Sequence, residues 1–228
     1  MYKVISFLIL LLPVTTVASL DPKTAENEYL LQQAQYYLSS DPTKALRILS
    51  DDLTLSQLTS KQKIQWYLLN TRATIVTNQL NNGYASLEQL FLLNEHPFFY
   101  EKLPSILSMT GVWLRKSSYI NDAETTFTCA LKQPSSLNQQ MGLKISLAII
   151  ARHQANYIRA KALYKEAYQI AEKLKNERAL ATIANNLGVL ALDNNKLRQA
   201  NGYFRKALAD HQLQTKKPGH INAGINLL

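Results

Sequence analysis

The sequence predicts an all-α protein, and three observations carry that prediction. Long runs are rich in Leu, Ala, Gln and Lys, with few β-branched clusters after residue 20, which favours helix over strand. Small and large apolar side chains recur at spacings of three and four, which gathers them on one helical stripe. The helical runs are parted by short breaks bearing Asn, Asp, Ser or Gly, residues that tolerate turn conformations cheaply. With 46% apolar and 18% charged residues, and only seven Gly and seven Pro, the composition is globular and can fill a continuous core.

Residues 1–19 stand apart from this pattern. They carry Lys3, an apolar run from Val4 to Leu12, a proline and then small residues, the layout of a secretory signal peptide with cleavage after Ala18 or Ser19. The run is short for a membrane span, and no Cys marks a lipoprotein cleavage point. The expectation is a periplasmic or secreted protein, tethered to the inner membrane only if this segment is kept.

Residues 20–103 read as degenerate helical repeats. In EYLLQQAQYYLSSDPTKALRILSDDL a helix breaks at SSDP, where Asp41 can cap and Pro42 opens the next helix, and Ala45 and Leu49 sit on its inner face. WYLLNTRATIVTNQLNNGYASLEQL reads as a helix, an NNG turn and a second helix, with Ala73 and Ala85 as the facing small residues. The NEHPFFY segment that follows fits no repeat pattern.

Residues 104–220 repeat clearly. Leu187, Gly188 and Ala191 form one stripe, DNN at 193–195 supplies a turn, and Ala200, Phe204 and Ala207 form the stripe of a second helix. Small residues at Gly188 and Ala200 allow close approach, and Phe204 fills the space between the helices. The same set recurs as Leu147, Ala148, Ala151, Ala160, Tyr164 and Ala167, and as Gly111, Ala123, Phe127 and Ala130. Units therefore start near 104, 141 and 181, with extra length assigned to the EKLKNER stretch.

This pattern resembles the tetratricopeptide repeat, a helix–turn–helix unit of about 34 residues. Ala184, Ala191 and Gln212 depart from the aromatic, Tyr and Pro of the family pattern. The resemblance implies a right-handed α-solenoid whose first helices line a concave groove. Residues 221–228 align with the start of another such first helix, an incomplete further repeat.

Carried over from the family, the groove positions are Ser105, Ser108, Met109, Val112, Arg115 and Lys116 in one unit. The next gives Gly142, Ile145, Ser146, Ile149, Arg152 and His153, and the last gives Thr182, Asn185, Asn186, Val189, Leu192 and Asp193. Of these, Asn185, Asn186, Val189, Arg152, Ser146 and Ile149 are the candidate peptide-binding residues. Asn186 leads, because its amide both donates and accepts. Arg115, Lys116 and Arg152 lie near helix ends, where cations also satisfy the helix dipole.

Charge is uneven, with 10 basic and 11 acidic residues over 21–140 but 14 and 5 over 141–220. Lys161, Lys165, Arg198, Arg205 and Lys206 fall on second helices, an expected contact for anionic membrane surfaces or an acidic partner. Interleaved aromatics are lacking, and nucleic acid is not expected. Four scattered histidines, no phosphate loop and no activated serine argue against catalysis, metal or cofactor. Cys129, between Phe127 and Ala130, is expected to be a buried inert thiol. Two roles fit: a free periplasmic scaffold holding a protein or peptide, or the sensory front of a membrane-bound diguanylate cyclase or histidine kinase.

Overall fold

In the computed structural model the described residues are 21–215, with side chains described through Ala209. The segments expected to be a signal peptide and an incomplete repeat lie outside them. Every regular element within is helical. In order these are α1 Pro22–Tyr37, α2 Pro42–Arg47, α3 Ser60–Val76, α4 Leu80–Phe91, α5 Pro97–Glu101, α6 Leu103–Lys116, α7 Ile120–Leu131, α8 Leu137–His153, α9 Tyr157–Lys173, α10 Glu177–Asp193 and α11 Leu197–Thr215. A wider turn at Ile48–Asp52 and a tight one at Leu55–Gln57 bridge α2 to α3.

Helix starts are written in the sequence as caps. Asp21 and Asp41 accept from the amides of Thr24 and Lys44 ahead of Pro22 and Pro42. Thr59 with Gln62, and Ser136 with Gln139, form reciprocal capping boxes at α3 and α8. Asn156 and Asn176 cap α9 and α10.

Four hairpins, α3–α4, α6–α7, α8–α9 and α10–α11, share one turn. Its left-handed residue is Asn78, Ser118, Ala155 or Asn195, with φ of 60°, 69°, 58° and 53°. The next amide closes the turn onto the preceding helix: Gln79 to Thr74 O at 2.7 Å, and Tyr119 to Leu114 O, Asn156 to Ala151 O and Lys196 to Ala191 O, each at 2.8 Å.

That shared turn fixes the internal register. Seven residues before each left-handed position stand Thr71, Gly111, Ala148 and Gly188, each buried. Their partners twelve residues on are Gly83, Ala123, Ala160 and Ala200, all buried. Leu87, Phe127, Tyr164 and Phe204 then fill the cleft. The expected pairing of Ala73 with Ala85 is therefore two residues out of register. Ala73 is buried, but against Leu38 and Ala45 of the preceding hairpin, and Ala85 is exposed. The expected NNG turn is likewise displaced: the chain turns at Thr77–Gln79, and Asn81, Asn82 and Gly83 lie inside α4. Gly83 is needed for closeness rather than for bending, since a Cβ there would stand 3.1 Å from Thr74 Oγ1.

The extra length lies in several places. α8, α9 and α10 each run 17 residues, and the EKLKNER stretch splits, with α9 ending at Lys173 and α10 opening at Glu177. Between α4 and α6, α5 wedges Phe98 and Phe99 into a core shared with Ile64, Leu87, Leu90 and Ile106. Its cap is His96, whose Nδ1 accepts from the Phe98 amide at 3.1 Å. NEHPFFY is thus a packing plug. Tyr164 and Phe127, both 0% exposed, are the largest fully buried side chains, and each such burial contributes about 1.5–3 kcal/mol.

Each hairpin packs on the next. The first helices α3, α6, α8 and α10 touch in succession, while α4, α7 and α9 pack against the first helix that follows. The result is an α-solenoid with one wall built of first helices.

Candidate ligand groove

Arg72 on α3 is exposed to water, yet burial by surrounding protein lowers its pKa, and the charge of Arg178 on α10 lowers it further. A side chain reached by solvent but enclosed by protein lies in a concavity.

On the middle of this wall lies Arg115 of α6. Burial lowers its pKa, Tyr164 opposes that shift, and Arg152 adds to it. The Nε of Arg115 is buried and has no hydrogen-bond partner, an arrangement that costs about 1–3 kcal/mol when left unmet. Lys116 next to it donates through Nζ to the Ile75 carbonyl at 2.9 Å, and burial followed by Arg115 lowers its pKa. Beneath these cations Tyr164 is fully buried with its hydroxyl unpartnered, and its pKa is pushed up to about 12, first by burial.

Arg152 of α8 donates from Nη1 to Asp193 Oδ2 at 3.1 Å, which ties the C-terminal ends of α8 and α10 together. His153 lies 3.5 Å from Arg152 Nη2, and burial, then Arg152 and Arg115, lower its pKa against the opposing pull of Asp193. The neutral imidazole is favoured, and the groove gains no further cation from it.

The other sequence-derived candidates fall on the same two helices. Ser146 spends its hydroxyl on the Gly142 carbonyl of its own helix, at 3.0 Å. Ile149 is half-buried and packs on the core. Asn185, Asn186 and Val189 are half-buried on α10, and neither Asn side chain finds a hydrogen-bond partner among the described residues. Ser146, Ile149 and Arg152 thus stand on a helix that touches the one bearing Asn185, Asn186 and Val189.

The concentration of cations around Arg115 was legible only as separate helix-end charges. The signal that joins them is the repeat period, which carries Arg115 onto Arg152. A second surface also escaped the sequence: Trp113 lies 5.2 Å from Tyr84 and 6.2 Å from Tyr119 between ring centroids, lining a shallow hollow with Asn81, Leu114 and Asp122. Cys129 corrects an expectation. It is exposed, because the buried face of α7 runs through Ala123, Phe127 and Ala130, and a residue two beyond Phe127 points away from it. Lys161, Lys165, Arg198, Arg205 and Lys206 are exposed on α9 and α11.

Among the described residues no group of three or more His, Cys, Asp or Glu side chains could hold a metal ion. No described helix is long and apolar enough to cross a membrane.

A family model described as tetratricopeptide repeat matches residues 141–212. No curated protein matches the chain. Among solved structures, the chain is similar to BtubC (BKLC) from P. vanneervenii, with a TM-score of 0.57 and 17% identity over 87% of this chain and 75% of that one. It is also similar to MamA AMB-1, with a TM-score of 0.51 and 11% identity over 82% of this chain and 97% of the other. At such identities the likeness speaks for the fold alone.

Proposed function

We propose, from the tetratricopeptide repeat match over residues 141–212, that the chain is a non-catalytic scaffold that holds a protein or peptide in the groove lined by α3, α6, α8 and α10. The observation that carries this reading is the set of polar side chains set into that wall without partners: Arg115 Nε, Asn185 and Asn186. An extended peptide presents both donors and acceptors along its backbone, which two adjacent Asn amides can meet on one helix face. Val189 and Ile149 offer apolar contacts beside them.

The working location is the periplasm, supported by the Lys3-led apolar run at the start of the sequence. There the exposed cations of α9 and α11 would face anionic headgroups as well as protein. The alternative role, a sensory front of a membrane-bound cyclase or kinase, draws on the sequence of 221–228 and has no support within the described residues.

The test is selection from a displayed random-peptide library against the purified protein. Selected peptides should bind wild type, and should bind Asn186→Ala and Val189→Asp at least tenfold more weakly at unchanged melting temperature. Peptides that bind all three equally would remove the groove from the function.

A further inference from the structure

The groove repeats a contact, and one copy of it is incomplete. In each case the side chain is supplied one repeat period plus one residue further along the chain. Lys116 of α6 reaches back to the Ile75 carbonyl of α3, and Asp193 of α10 meets Arg152 of α8. By the same register, the intermediate copy sets His153 of α8 opposite Arg115 of α6, close enough for the Arg115 charge to lower the His153 pKa. Where Arg152 receives a carboxylate, the side chain at the matching position opposite Arg115 is an imidazole, which brings no negative charge in either protonation state. Arg115 makes no ion pair with any described residue, and its Nε stays buried and unmet.

We propose that Arg115 is the seat for an acidic side chain of the bound peptide, which occupies at Arg115 the place that Asp193 occupies at Arg152. This rests on the groove being the binding surface. The ligand class follows from charge complementarity. Along the wall the charge of Arg178 acts on Arg72 and that of Arg115 acts on Lys116, while Asp193 is already engaged by Arg152. Cations spread from α3 to α10 call for several negative charges along an extended chain. An internal Asp- or Glu-rich segment provides that, whereas a single terminal carboxylate would satisfy only one site. A guanidinium binds a carboxylate by charge-assisted hydrogen bonds, which strengthen where water is partly excluded.

The first measurement needs no ligand. His153→Asp should complete the contact within the chain and raise the melting temperature, and this rise should vanish in the Arg115→Gln/His153→Asp double variant. No rise, or a rise that persists in the double variant, would overturn the proposed geometry. The second uses an N-acetylated, C-amidated peptide of alternating Glu and Ser at physiological salt, beside its Gln counterpart and a single-stranded oligonucleotide. The Glu peptide should bind wild type. Arg115→Gln and His153→Asp should each weaken that binding about tenfold, which is a loss of about 1.4 kcal/mol. Absence of binding by the Glu peptide, or equal binding of the Gln peptide, would overturn the proposal. So would tighter, Arg115-dependent binding of the oligonucleotide, which would make the occupant a phosphate polymer. The library selection separates the two readings: neutral peptides dependent on Asn186 would leave the scaffold standing without this subsite.

Discussion

Gly111→Ala would test the packing rule on which the hairpins depend. A Cβ at Gly111 would stand 2.6, 2.8 and 2.9 Å from Cε1, Cδ1 and Cζ of Phe127, where ordinary contact begins near 3.4 Å. The ring or the helix must retreat by about 0.8 Å, and Phe127, 0% exposed, has no solvent to swing into. Overpacking of this kind costs about 1–3 kcal/mol. Replacing a mid-helix Gly by Ala returns up to about 1 kcal/mol, so the net loss should be about 1–2 kcal/mol. Gly142→Ala is the control, because a Cβ there meets nothing within 4 Å and the variant should gain about 0.5–1 kcal/mol. Both changes carry the same propensity gain, so the difference between them isolates the clash. Urea unfolding followed by far-UV circular dichroism gives both values. Equal stability of the two variants would refute the reasoning. Phe127→Leu added to Gly111→Ala should recover part of the loss, since the α3–α4 hairpin already joins a larger Thr71 to Leu87 at these positions.

Other outcomes follow from single features. Ala155→Gly, at φ 58°, should stabilise by about 0.5–1 kcal/mol in the same urea titration by relieving left-handed strain, whereas Asn195→Gly should change little. Ser136→Ala removes half of a capping box and should lower stability by about 1 kcal/mol. Glu124 accepts from Gln154 and Arg159, and those bonds, Gln154 first, hold its carboxyl below the ordinary value of 4.5. Its folded pKa lies below the unfolded one, so its stabilisation is full above about pH 4.5 and is lost as pH falls through the folded value. Glu124→Gln should therefore cost about 0.2–1 kcal/mol at neutral pH and approach wild type in acid. Cys129 should react stoichiometrically with an aromatic disulfide reagent in the native protein, and protection until urea is added would contradict its exposure.

Where the hairpin carries an aromatic at the cleft, the register was legible from sequence. Gly111 with Phe127, Ala148 with Tyr164 and Gly188 with Phe204 each announce a small residue facing a ring. In α3–α4 the ring is replaced by Leu87 and the small residue by Thr71, and the pattern fades into ordinary helical apolarity. Ala73 and Ala85 then looked equivalent, although one faces the previous hairpin and the other faces water. The turn itself carried the missing signal, because Asn78 sits where Asn195 does. Groove positions on α8 and α10 were readable by register alone. The state of Arg115 was not, since it depends on what the following repeat places opposite, and His153 gives no hint of a missing charge until the two helices are seen together.

The succession of hairpin contacts has a mechanical consequence. With each hairpin packed chiefly on its neighbours, a pull on the two ends loads the interfaces in series, as in a spring of unequal coils. Stretching would part neighbouring hairpins before it opened any hairpin itself, because the first helices touch each other more lightly than they touch their own partners. The Arg152–Asp193 latch crosses the wall of first helices, so the groove's width and its charge pairing would change together under load.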